Sequence, residues 1–125
     1  MNASHFCTML DSELLHFDSD AQRAAFHRAR TAPSERIETW AYGSESHVCT
    51  VIASNGDSEL VYCSTGFGPA FPWSVQRPGQ TDLGMDAEWC AYLSEAFVGS
   101  PLWPPGPPPG FMLMGPGERE ASLLG

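Results

Sequence analysis

The chain has 125 residues, 15 acidic against 6 basic side chains and a formal net charge of −9, and every one of its cations is arginine. That length suits a single domain with a real core, and the acidic excess repels phosphate backbones, which argues against direct nucleic-acid binding. A hydrophobic content of 42% with 12 Gly and 11 Pro implies an ordinary core joined by much turn and coil.

Residues 1–17 lack a basic leader and are interrupted by Asp11 and Glu13, and no apolar run approaches the ~18 residues of a membrane span. The expectation is a cytoplasmic protein with no membrane contact. Its four cysteines, Cys7, Cys49, Cys63 and Cys90, then read as reduced thiols rather than a disulfide framework. Residues 5–17 read equally well as a short strand or a helical turn. Ser19-Asp20-Ala21-Gln22 has the form of a capping box and opens a helix over 19–30, which ends in basic residues before Thr31-Ala32-Pro33 stops it.

Three strand-length runs follow, at 36–42, 47–53 and 59–64, rich in β-branched and aromatic residues. Asn55-Gly56 between the second and third signals a hairpin with a two-residue type I′ turn. That turn puts Cys49, Val51, Leu60 and Tyr62 on one face, and Val48, Ile52, Val61 and Cys63 on the other. Both faces are apolar, so the hairpin is expected to be covered on both sides. Cys49 and Cys63 are near each other in this register but offset, and a slipped register would oppose them.

Residues 66–73, GFGPAFPW, place three large rings in a segment too rich in Gly and Pro for a helix or a regular strand. They form a crossover loop. On one reading Phe67, Phe71 and Trp73 fold over an end of the sheet and cap the core. On the other, Trp73 stays exposed as an interface anchor, the role in which Trp is enriched. A second helix is expected from Asp86 as cap to Gly99, with Trp89, Cys90, Leu93, Ala96 and Phe97 on one stripe. From Pro101 the chain reads PLWPPGPPPG, an extended polyproline-like tail over 101–125 that docks in part and frays at its end.

Chemistry-bearing patterns are few. The chain has no G-x-S-x-G, H-E-x-x-H, P-loop or G-x-G-x-x-G motif. Two H-x-C pairs, His5/Cys7 and His47/Cys49, would each aim two soft ligands one way along a strand, yet neither has the spacing of a structural zinc site. No catalytic residue, metal or cofactor is therefore expected. Between Trp40 and Ser100, Glu45, Asp57, Glu59, Asp82, Asp86, Glu88 and Glu95 are opposed by Arg77 alone, which would steer a basic partner.

GFGPAFPW followed by LGMDAEWCAYLSEAF resembles a set of small acidic bacterial proteins in which a G-x-G-x-x-x-P-W loop leads into a "GMD" helix start and an "EAF" end. Some of these resemble immunity partners of polymorphic toxins. Ser74 stands where that pattern has Gly, and no catalytic residue carries over. The sequence thus points to one α+β domain over 1–100: helix, three-stranded antiparallel meander, aromatic loop, helix, then the Pro-rich tail. The expected function is protein binding, an immunity protein against a basic toxin domain, with Trp73, Asp82, Asp86, Glu88 and Trp103 as contact residues. The alternative is an adaptor that binds through its tail, where Pro101-Leu102-Trp103-Pro104 matches P-x-x-P. A small metal-dependent enzyme built on the H-x-C pairs ranks third.

Overall fold

The computed structural model describes residues 3–40, 43–66, 70–79, 82–83 and 89–107, with the backbone alone at 3–6 and 82–83. Its order is α1 (Ala3–Leu14), α2 (Asp20–Ala29), β1 (Arg30–Trp40), β2 (Ser46–Ser54), β3 (Glu59–Tyr62), β4 (Trp73–Gln76), β5 (Asp82–Leu83), β6 (Trp89–Cys90) and α3 (Leu93–Val98). The fold is α+β. The sheet runs β5-β1-β2-β3-β4-β6, antiparallel throughout except for the short parallel pairing of β5 with β1.

α2 forms where its capping signal stands. The Ser19 hydroxyl accepts from the Gln22 N–H at 3.2 Å, while the Gln22 side chain accepts from the Asp18 N–H at 2.9 Å, one residue earlier than in a standard box. Residues 3–14 resolve as helix, with Leu10, Glu13 and Leu14 turned inward. Arg23 ties the two helices together by donating to the carbonyls of Leu14 and Phe17.

The helices cover one face of the sheet. Phe17, Phe26 and Phe97 form an aromatic knot with centroids 5.5–6.1 Å apart, packed with Leu10, Ile52, Leu60, Trp73 and Leu93. The other face carries a smaller cluster of Cys49, Val51, Val61, Cys63 and Trp89, with Trp40 and Phe71 packed over it. The hairpin is thus covered on both sides over most of its length, with Val48 left exposed on the helix side.

Four expectations are corrected. The meander does not end at the third strand, because Trp73–Gln76 pairs with β3 and extends it. The helix expected from Asp86 begins only at Leu93; Trp89 and Cys90 pair with β4, so the first two residues of the apolar stripe belong to the sheet. The first strand begins at Arg30 rather than at 36, so that Pro33 lies within it, where the register shifts between Arg30 and Ser34. Residues 101–107 are not extended: the Ser100 and Trp103 carbonyls accept from Trp103 and Gly106, folding the start of the tail into turns.

The Asn55-Gly56 turn is also of another kind. Asn55 to Ser58 form a four-residue loop in which the Asn55 side-chain oxygen accepts from the N–H groups of Asp57 and Ser58, at 2.9 and 2.8 Å. Gly56 holds φ at +93°, and a Cβ built there would meet nothing within 4 Å. The requirement for glycine is therefore one of backbone conformation alone. Gly56→Val should cost about 1–2 kcal/mol, read as a lower urea midpoint at unchanged slope; an unchanged midpoint would mean the loop adopts another conformation at no expense.

Candidate functional site

The four-residue loop shifts the β2–β3 register by two residues from that of a two-residue turn, and the bulge between Val51 and Ala53 takes one back, leaving a net shift of one from Val51 onward. Because side chains alternate, such a shift moves residues between faces. Val51 opposes Val61 and Thr50 opposes Tyr62, and continuing the ladder by one residue sets Cys49 opposite Cys63. The two thiols therefore meet on the face away from the helices, both fully buried.

Their surroundings distinguish the two sulfurs. A hydrogen bond from Cys49 holds the Cys63 thiol down, against the opposing effect of burial, and N–H groups of Thr65 and Gly66 with the Thr65 hydroxyl add to it, so that Cys63 ionises at about 5. Cys49 is driven the other way by that same hydrogen bond, by burial, by the charge on Cys63 and by the Glu38 carboxylate. The pair shares one proton, which resides on Cys49. At the rim, the exposed Thr65 has its hydroxyl 3.8 Å from the Cys63 sulfur and 2.8 Å from Nδ1 of His47, whose Nε2 lies 3.7 Å from the Glu45 carboxylate.

Beside the thiols lies a buried charge network. Arg36 donates to Glu38 at 3.0 Å, to Gln76 at 2.6 Å and to Glu59, while the Gln76 amide donates to the other oxygen of Glu38 at 2.9 Å. The Glu38 side chain is wholly buried. Burial works against the Arg36 cation, but the hydrogen bonds it donates to Glu59 and Glu38, with the charges of both carboxylates, outweigh it and raise its pKa above the ordinary arginine value. With every charge paired, this network is a structural rivet that leaves no group poised for acid–base work.

Of the residues expected to form a contact surface, Trp73 and Trp103 are those whose side chains are described. Trp73 is 1% exposed and packs at 4.8 Å between centroids on Tyr62, so it is a core residue and not an interface anchor. Trp103 is half-buried against Phe97 and lines an open cleft of about 470 Å³ between α2 and residues 102–105. Asp82 lies on β5 with its backbone opposite Thr39. Asp86 and Glu88 fall outside the described residues, and Asp86 cannot cap a helix that begins at Leu93; that end is capped by the carboxylates of Glu95 and Glu13, which accept from the N–H groups of Tyr92 and Leu93. Of the H-x-C pairs, His5/Cys7 falls on α1 and His47/Cys49 on β2, and no group of three metal-ligating side chains occurs among the described residues.

The surface that does stand out lies on the helix-side face of β1 and β2, beyond the reach of the helices. There the opposed pairs Glu35/Thr50, Ile37/Val48 and Thr39/Ser46 form three rows, with Ile37 and Val48 exposed at 57% and 51%. Sequence inspection passed over this patch because the same residues fit a fully covered strand. No family model, curated protein or solved structure matches this chain. No helix among the described residues is long and apolar enough to cross a membrane.

Proposed function

We propose that this protein is a non-enzymatic protein-binding domain, an immunity protein that neutralises a cognate bacterial toxin domain with a basic surface. The reading is carried by the exposed Ile37/Val48 pair, two β-branched side chains standing together on a regular stretch of sheet. Isolated exposed apolar residues are ordinary, whereas an apolar pair on a rigid surface, flanked by polar neighbours, has the layout of an interface centre and rim. Glu35 beside it and the β5 segment, which brings the backbone of Asp82 next to Thr39, supply acidic surroundings. A net charge of −9 with no lysine suits rapid encounter with a basic face. The resemblance of residues 40–100 to immunity-type proteins agrees with this.

The test uses the product of the adjacent gene, co-expressed with the full chain and scored for toxicity, protection and binding. The double substitution Ile37→Asp/Val48→Asp should weaken binding at least tenfold, mostly through faster dissociation, with the melting temperature held. Asp82→Asn should instead slow association and flatten its salt dependence. A non-toxic neighbour, or no association at micromolar concentration, would sink the immunity reading in favour of an adaptor that binds through residues 101–107.

A further inference from the structure

We propose that Cys49 and Cys63 are a peroxide-oxidisable pair that closes to a reversible intramolecular disulfide, Cys63 attacking the oxidant and Cys49 resolving the product. The first support is position. Opposed residues on antiparallel strands hold their Cα atoms about 4.5–5.5 Å apart, inside the roughly 4.4–6.8 Å that a disulfide spans. The strands can therefore accept the bond without a change of register. Cys90 lies in the core cluster on the opposite face and Cys7 is exposed on α1, so neither competes for this partner.

The second support is the division of labour between the sulfurs. Cys63 sits where its anion is met by the N–H groups of Thr65 and Gly66, the Thr65 hydroxyl and the Cys49 thiol, which makes it the thiolate at neutral pH. Cys49 keeps its proton, as a resolving thiol should until the first step is complete. The third is access. Both sulfurs are buried, but Cys63 lies one side chain below the surface, under exposed Thr65.

The chemistry balances as follows. The Cys63 thiolate attacks one oxygen of hydrogen peroxide, the O–O bond breaks, and hydroxide leaves to take a proton from solvent. Cys63 is then a sulfenic acid. The Cys49 sulfur attacks the Cys63 sulfur, the S–S bond forms, the S–O bond breaks, and the departing hydroxide takes the proton that Cys49 gives up. In sum, two thiols and one peroxide give one disulfide and two waters, with two electrons passing to the peroxide. Thr65 and His47, hydrogen-bonded to each other beside Cys63, form the route by which protons reach the buried sulfurs.

The experiment treats the folded full-length chain, in a Cys7→Ser background, with hydrogen peroxide, and maps the products by non-reducing peptide mass spectrometry. The expected result is a Cys49–Cys63 crosslinked peptide that dithiothreitol reverses. Cys49→Ser should stop the reaction at a dimedone-reactive sulfenic acid on Cys63, and Cys63→Ser should leave Cys49 unmodified. The charged groups on this face among the described residues are Arg36 and Glu38 of β1, His47 of β2 and Glu59 of β3, with Glu45 beside His47 at the rim. Arg36, Glu38 and Glu59 stay paired with one another. The rate should therefore be nearly level from about pH 6 to 8, where an ordinary thiol would gain close to tenfold per unit. Crosslinking seen only in denaturant, or a rate that climbs across that whole range, would overturn the proposal.

Discussion

Trp73→Ala is expected to destabilise the domain by about 3–5 kcal/mol, far more than it could change any binding constant through lost contact. Trp73 is the largest of the fully buried side chains. It stands on β4 between Tyr62 of β3 and Cys90 of β6, facing the helices, so its removal opens a void beneath the layer that holds Leu93 and Phe97. The tilted stacking on Tyr62 adds roughly 1 kcal/mol to the burial itself. Trp73→Phe keeps a ring in the site and should recover at least half of the loss. Urea titration reads both; a loss under about 1 kcal/mol for the alanine variant would show that the neighbouring layer collapses into the space.

The same residue shows where sequence reasoning succeeds and where it stops. GFGPAFPW announces that its rings must be hidden or used, but it does not say which, because the choice depends on whether a strand follows. WSVQ is four residues long and preceded by proline, too short for a periodicity to register. Trp89 and Cys90 fail for the opposite reason. Their spacing to Leu93 and Phe97 fits a helical stripe, and only pairing with β4 reveals that two elements share it. Ser19 and Gln22 were legible because a cap is a local device, complete within a few residues.

The thiol pair illustrates a longer chain of dependence. Cys49 and Cys63 are offset if Asn55-Gly56 makes a two-residue turn, and opposed when a loop that also takes in Asp57 and Ser58 is followed by the bulge between Val51 and Ala53. The Asn55 side chain gathers both of those N–H groups and lengthens the loop, and the bulge then takes back one residue of the shift. Loop and bulge together thus determine which side chains share a face, and with that whether the two thiols lie apart or opposite each other. The Arg36 network was hidden in the same way, since Glu38, Glu59 and Gln76 come from three strands that only the register aligns.

That network carries the second large effect. Arg36→Met should cost about 3–5 kcal/mol, or a fall in melting temperature of roughly 10–20 °C for a chain of this size. The loss comes less from the ion pairs as such than from what is left behind. Glu38 would keep the Gln76 amide and the Cys49 thiol but no cation for a carboxylate with no access to water, and Glu59 would lose its arginine partner from β1. Replacing both members of the inner pair removes that problem, so Arg36→Met/Glu38→Leu should be considerably more stable than Arg36→Met alone. The positive coupling in a double-mutant cycle would measure the cost of the orphaned charge. If the double variant is instead no better than the single one, the arginine holds the sheet together chiefly by packing its stem across β1, β3 and β4, and its charge is incidental to stability.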